Sequence, residues 1–215
     1  MAKSTMFGNF CVAGIDMNSG EWVRFVAFET GDPLADYELI FVNEIGGCEP
    51  LDAARIGIAR RVPRRNHTED CMIKRMAWLK LGRMNLDDVF KIHPPENHQH
   101  QFVFGTPRNY IDEFEMRELN LKYSLTLVSV ENLKIIFSEN VHGIIRGKAC
   151  FSYNGVDYDD VRVTDPAYET VLPFMKNFSI KIPAACLVMS MPSKPLQVKE
   201  TGRYYKLIAK IFPIS

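Results

Sequence analysis

Residues 144–164 read IIRGKACFSYNGVDYDDVRVT, with Asn154 and Gly155 near the centre of the stretch. An Asn-Gly pair between two apolar runs is the strongest short-range signal of a β-hairpin, because both residues tolerate the positive φ of a type I′ turn. The stretch therefore predicts two antiparallel strands joined at this turn. Asp165 and Pro166 end the second strand, since proline has no N–H to donate to a ladder.

The same pattern occurs in the first third of the chain. Apolar runs at 10–15 and 21–27 flank the turn-forming residues Asn-Ser-Gly at 18–20, which predicts another hairpin. Further short apolar runs, among them 124–137, are separated by glycine and proline. Short strands punctuated by turns are typical of barrels and sandwiches, so the sequence predicts an all-β protein with minor α content.

One segment has a spacing closer to that of a helix. Residues 67–82 read HTEDCMIKRMAWLKLG, with apolar side chains at 72, 73, 76, 79 and 81. Thr68 is suited to an N-cap and Gly82 to the stop, so we expect a helix from His67 to Gly82. A further helical turn is predicted at 85–90. The first half of the chain therefore contains a helical insertion near residues 67–91.

Composition narrows the classes of function. The 26 basic residues balance 26 acidic ones, so a nucleic-acid surface has to be a local cluster of cations. None of the five cysteines forms a C-x-x-C pair, and we therefore predict no metal site, no cofactor and reduced thiols. The sequence has no secretory signal and no run of about 18 apolar residues. We expect a cytoplasmic protein that does not enter membranes.

Several segments, in order along the chain, resemble the dual OB-containing domain family. They are CVAGI at 11–15, GEWVR at 20–24, HTED at 67–70, Trp78 with Gly-Arg at 82–83, SLTLV at 124–128, FSYNGVDY at 151–158, VTDP at 163–166 and YKLIA at 205–209. The resemblance implies two OB-like β-barrels in one chain, which we assign to residues 1–112 and 113–215. It also implies a bacterial protein linked to defence against invading nucleic acid.

The candidate binding residues lie in the predicted first barrel. The segment 55–65 is the densest basic cluster, and Arg60, Arg61, Arg64 and Arg65 could clamp phosphates. The alternative is a strand end whose arginines form surface ion pairs or only meet solvent. Trp22 and Arg24 are two residues apart on a predicted strand and so share one face, where they could hold a base and its phosphate. Alternatively, Trp22 is a core residue.

These observations lead to a functional prediction. No G-x-S-x-G, P-loop or H-E-x-x-H motif occurs, and we predict a protein that is not an enzyme. The predicted function is non-catalytic binding of single-stranded nucleic acid or oligonucleotides by Trp22, Arg24 and the arginine segment. The alternative is an adaptor whose barrels dock onto a larger effector protein, and an enzyme acting on a small nucleotide is a third possibility.

Overall fold

A computed structural model of the chain describes residues 2–6, 8–139, 142–169, 176–198 and 200–214. They are mostly strand, as predicted, and they divide into two compact units, 1–94 and 95–215. The sequence prediction had placed the division later, between residues 112 and 113.

The described residues of the first unit form seven strands, one short α-helix and a 3-10 helix at Asp36–Glu38. The elements are β1 (Ala2–Met6), β2 (Asn9–Ile15), β3 (Trp22–Val26), β4 (Asp52–Arg55), β5 (Ile58–Arg61), β6 (Asp70–Ile73), β7 (Leu79–Arg83) and α1 (Leu86–Ile92). Five of the strands form one sheet in the order β1-β2-β3-β6-β5, while β4 pairs with β7. The pair β3–β6 is parallel and the other pairs are antiparallel.

The predicted helix from His67 to Gly82 is wrong, because this segment contains β6 and β7 instead. Cys71 and Ile73 alternate toward the interior with the period of a strand, and β6 pairs on both sides, with β3 and with β5. Strand pairing across long sequence separations therefore overrides the local helical spacing. The helical turn expected at 85–90 is confirmed by α1, whose N-cap Asn85 accepts a hydrogen bond from the backbone of Asp88.

The core of the first unit lies beneath β2, β3 and β6. Val12, Phe25 and Ile73 from these strands pack with Trp78, whose ring centroid is 5.6 Å from that of Phe25. Leu34 is also fully buried there. Trp78, the second of the two tryptophans in the sequence, is therefore a core residue.

The second unit is built around a closed five-stranded barrel. Its elements are β8 (Tyr110–Asp112), α2 (Glu113–Leu119), β9 (Leu125–Glu139), β10 (Ile145–Tyr153), β11 (Val156–Val163), α3 (Pro166–Glu169), β12 (Ser179–Ser190), β13 (Leu196–Val198), β14 (Thr201–Tyr205) and β15 (Leu207–Pro213). The barrel order is β10-β11-β15-β12-β9, and β13, β14 and β8 form a separate small sheet. The predicted hairpin at Asn154–Gly155 is confirmed, with Tyr153 opposite Val156.

Both units use the same strand order. Numbering the strands of each main sheet along the chain gives 1-2-3-5-4, with a parallel pair between the third and the fifth strand. In the second unit the first and fourth strands also pair, which closes the barrel. In the first unit no pairing of β1 with β5 occurs within the described ranges, so that sheet stays open. This is the five-stranded, partly open Greek-key arrangement of the OB fold.

Buried polar groups attach residues 100–106 to the second barrel. Tyr158 Oη accepts a hydrogen bond from the backbone of Val103 at 3.0 Å and donates to the carbonyl of Thr106 at 2.8 Å. The ammonium group of Lys206, which is only 1% exposed, donates to the same carbonyl at 2.6 Å and to Thr106 Oγ1 at 2.9 Å. Burial, with a further contribution from the charge of Arg108, lowers the pKa of Lys206 to about 7.

Candidate nucleic-acid interface

Trp22 and Arg24 share one face of β3, as predicted from their spacing. Phe25 belongs to the core and Val23 packs against it, which places Trp22 and Arg24 on the opposite, outer side of the sheet. Arg24 lies next to Ala13 of β2 in the strand register. In OB domains the outer face of the second and third strands is the usual ligand surface. The half-buried ring of Trp22 packs edge-on against His93 there.

Arg24 and Arg64 are engaged by a buried carboxylate. Asp70 is 0% exposed, and its Oδ1 accepts a hydrogen bond from Arg24 Nε at 2.6 Å. Its Oδ2 accepts two hydrogen bonds from Arg64, from Nε at 2.9 Å and from Nη2 at 2.7 Å. Arg24 also contacts the ring of His67, and Arg64 donates to the carbonyl of Thr30. Arg24 therefore attaches β3 to β6 and to the 62–69 loop, whereas Arg64 attaches that loop to β6 and to Thr30. The side chain of Arg24 is 11% exposed and that of Arg64 25% exposed.

The other predicted arginines are exposed. Arg60 pairs with Glu29, and Arg61 Nη2 lies 3.6 Å from Glu21 Oε2. Exposed ion pairs of this kind contribute at most about 1 kcal/mol, so a phosphate could displace either carboxylate. Arg65 is exposed and has no ion pair within the described part of the chain. The structure thus separates the predicted site into two arginines that bind Asp70 and three that are exposed. A phosphate-binding role for the exposed arginines stays a prediction.

A larger set of cations lies on the second barrel. Gly147 and Ala149 of β10 face the interior of the barrel, so Arg146 and Lys148 face outward. Lys148 lies opposite Arg162 of β11. Cations also project from the neighbouring strands β9 and β12, where Lys134 lies opposite Lys181. We call this surface the cationic face, and its members are Lys134, Arg146, Lys148, Arg162 and Lys181.

Few carboxylates neutralise the cationic face. Lys148 forms an exposed pair with Asp160, at 2.6 Å, and Arg162 Nη2 lies 3.9 Å from Glu169 Oε1. Among the described residues, no ion pair forms at Lys134, Arg146 or Lys181. Asp159 of β11 contacts Cys150, which lies opposite Lys134, and Asp157 lies farther along the strand toward the hairpin turn. Three of the five cations therefore have no carboxylate paired with them in the described part of the chain.

Arg146 and Arg162 interact through their like charges. Burial lowers the pKa of Arg162, and the positive charge of Arg146 lowers it further. The Nε atom of Arg146 is buried and has no hydrogen-bond partner in the described part of the protein. Two neighbouring guanidinium groups with unused donors are suited to binding a phosphate, because an anion would satisfy the donors and reduce the repulsion.

Exposed apolar side chains adjoin these cations. Ile136 lies in register between Lys148 of β10 and Ser179 of β12, and it is partly exposed. Phe178 immediately precedes β12 and is also exposed. Surfaces that bind single strands combine cations for the phosphates with aromatic side chains on which the bases stack. Of these two exposed residues, Phe178 is aromatic and Ile136 is aliphatic.

Sequence reasoning did not find the cationic face, although the sequence contains a signal for it. Arg146 and Lys148 are two residues apart in a predicted strand, and the Asn154–Gly155 turn fixes the register of the hairpin. Counting back from the turn brings Lys148 opposite Val161, and one bulge at residues 149–151 shifts its partner to Arg162. The arginines of segment 55–65 are close together in the sequence, whereas the cations of the face are dispersed over residues 134–181. The sequence analysis therefore assigned phosphate binding to the arginine segment.

The repeated strand order defines the chain as a protein with two OB-type units. The family model described as "Dual OB-containing domain" matches residues 1–211, and the chain therefore belongs to this family. No curated protein and no solved structure matches the chain. OB domains commonly bind nucleic acids or proteins. Within the described residues, no helix is long and apolar enough to cross a membrane.

Proposed function

We propose that this protein binds single-stranded nucleic acid, without catalysing a reaction, through the cationic face of the second barrel. The observation that carries the proposal is the position of Arg146, Lys148 and Arg162 on the second and third strands of a closed OB-type barrel. This is the face on which OB domains commonly bind oligonucleotides. Because three of its five cations lack a described carboxylate partner, the face retains charge for phosphates.

The proposed binding mode follows from the order of the strands. A strand crossing β11, β10, β9 and β12 would meet Arg162, then Arg146 with Lys148, and then Lys134 with Lys181. Phosphates would bind these cations, and bases would pack on Ile136 between them. Contacts of this kind are to the backbone and to base faces, so we expect weak sequence preference.

Absence of catalysis is part of the proposal. The chain lacks the common sequence motifs for a nucleophile, a phosphate loop or a catalytic zinc, and we expect bound strands to be recovered at unchanged length. A role in bacterial defence and a cytoplasmic location, both expected from the sequence, belong to the proposal as well. Neither is needed for the binding mode.

Binding is tested with a fluorescein-labelled oligothymidine of about 20 nucleotides, measured by anisotropy at low salt. The decisive variant replaces Arg146, Lys148 and Arg162 by alanine. The matched variant replaces Arg60, Arg61 and Arg65 by alanine and removes the same charge from the first unit. We expect the first variant to weaken binding by at least about tenfold, and the second by much less.

A variant with Lys134→Ala and Lys181→Ala provides a second test, because both are surface lysines whose loss should not affect folding. We expect this variant to weaken binding by a smaller factor than the triple change does. Loss of binding on changing Arg60, Arg61 and Arg65, with full binding after the changes in the second barrel, would assign the interface to the arginine segment instead. Retention of binding by all three variants would also refute the proposal.

A further inference from the structure

The first unit contains a cleft that the proposed function does not use. It has a volume of about 310 Å³ and lies between the segment 37–40 and the end of β6 with the residues that follow it. Its apolar lining residues are Tyr37, Ile40, Ile73, Met76 and Ala77, and its charged ones are Glu38, Lys74 and Arg75. This volume lies at the lower end of the range of ligand pockets, and it is suited to one or two side chains.

The apolar walls of the cleft are unusually exposed. Tyr37 is 75% exposed, Met76 59% and Ile40 48%, whereas Ile73 forms a buried floor. The loop that follows Ile40 adds further exposed apolar side chains, Val42 and Ile45. Clustered exposed apolar residues around a concave site mark a place where another molecule binds, because a lone domain gains nothing from leaving them in water.

The charge of the cleft is positive. Lys74 and Arg75 are exposed, and within the described ranges neither has a carboxylate partner. Arg75 instead lies over the ring of Phe28, 5.6 Å from its centroid. The carboxylate of Glu38 is already engaged, since its Oε2 accepts a hydrogen bond from the backbone of Ala35 at 2.8 Å. Lys74 and Arg75, which have no carboxylate partner among the described residues, therefore border an apolar cleft.

We infer that this cleft docks a short segment of a partner protein, in which apolar side chains are flanked by aspartate or glutamate. The apolar side chains would enter between Ile40 and Met76, and the carboxylates would pair with Lys74 and Arg75. The walls are mainly aliphatic, and methionine adapts its shape to different side chains. Sites for single-stranded nucleic acid usually present several aromatic rings for stacking, and of the residues lining the cleft only Tyr37 has one.

The test begins with a phage-displayed library of random peptides of roughly 12 residues, selected on the intact protein. We expect the enriched peptides to combine acidic and large apolar residues. One enriched peptide is then synthesised, and its affinity is measured by anisotropy. The variant K74E with R75E should weaken its binding by at least about tenfold, and I40S with M76S should also weaken it severalfold.

The matched control reverses two other exposed arginines of the same unit that do not line the cleft, Arg55 on β4 and Arg83 on β7. The variant R55E with R83E makes the same change in net charge, and we expect the affinity for the peptide to stay within about twofold. Failure of the library to enrich such peptides, or equal loss in the control, would overturn the inference. So would a large loss of oligothymidine binding in K74E with R75E, because the cleft would then be a nucleic-acid site. The cationic-face variants leave the peptide affinity unchanged if the inference is right, so the two proposals can fail separately.

Discussion

Arg24 Nε donates a hydrogen bond to Asp70 Oδ1 at 2.6 Å, across two parallel strands and between residues 46 positions apart in the sequence. The other oxygen of the same carboxylate binds Arg64. Asp70 is completely buried, so the two guanidinium groups and this one carboxylate form a single internal charge cluster. The cluster joins β3 and β6 to the loop between β5 and β6.

Replacing Asp70 by asparagine should destabilise the first unit. The change leaves the positive charges of Arg24 and Arg64 without their shared anion, and removing one partner of a buried pair typically costs about 3–5 kcal/mol. Urea denaturation followed by tryptophan fluorescence measures the free energy of unfolding. The control is Glu29→Gln, which breaks the exposed pair with Arg60 in the same unit and should cost at most about 1 kcal/mol. Equal effects of the two substitutions would contradict the structural role of the cluster.

Gly31→Ala should also act through Arg64. Gly31 has a φ of +80°, and a Cβ atom there would overlap the guanidinium of Arg64, which cannot move without leaving Asp70 and Thr30. Gly8 is a matched control, because it has the same φ of +80° and open space around its Cβ position. The cost of backbone strain is about 1–3 kcal/mol at either site. Thermal unfolding should show a clearly lower Tm for Gly31→Ala than for Gly8→Ala, and equal values would exclude the collision.

The buried Lys206 makes the stability of the second unit depend on pH. Its pKa is about 7 in the folded chain, against an ordinary value of 10.5. Between these values the unfolded chain holds a proton that the folded chain lacks, so this group makes the free energy of unfolding rise as the pH increases from about 7 toward 10.5. Below pH 7 the folded state bears the full cost of the buried charge.

Lys206→Met removes that dependence. Denaturation at several pH values between 6 and 10 gives the difference in free energy of unfolding between the wild type and the variant. We expect this difference to grow in favour of the wild type as the pH increases, by up to about 1.4 kcal/mol per pH unit. All other titrating groups are common to the two proteins. A difference in the free energy of unfolding that does not change with pH would therefore mean that Lys206 is charged at neutral pH in the folded protein.

The salt dependence of oligothymidine binding should report the number of phosphate contacts. Each phosphate neutralised on a single strand contributes about −0.7 to the slope of log affinity against log salt concentration. Replacing Arg146, Lys148 and Arg162 by alanine should therefore make the slope shallower by about 2. The variant lacking Arg60, Arg61 and Arg65 provides the comparison. An unchanged slope after the first substitution would show that those three residues do not contact phosphates.

Turn chemistry made the hairpins predictable from sequence. Asn154 and Gly155 have φ values of +49° and +76°, which few other residue pairs adopt without strain, and the signal is contained within the turn itself. The turn at 18–20 was recognised for the same reason. The all-β class and the OB-type organisation followed from such turns together with the family resemblance.

Long-range pairing was not predictable in the same way. The segment 67–82 has helical spacing, and nothing in it indicates that Asp70 will lie beside Arg24 on a parallel strand. The same pairing turned Arg24 from a candidate phosphate ligand into a partner of a buried carboxylate. The cationic face was missed because its five members come from four strands, and only the hairpin pair could be aligned from sequence.

The parallel strand pairs determine when each unit can complete its main sheet during synthesis. In the first unit, Arg24 of β3 can pair with Asp70 only after β6 has been synthesised. This sheet can therefore assemble once β6 has left the ribosome. The second barrel joins Val163 of β11 to Ile208 of β15, a strand that is synthesised long after β6. Contacts of such long sequence separation form slowly, because a long loop must be closed before they are made. The first unit can therefore be folded while the barrel that carries the cationic face still lacks β15 and cannot close.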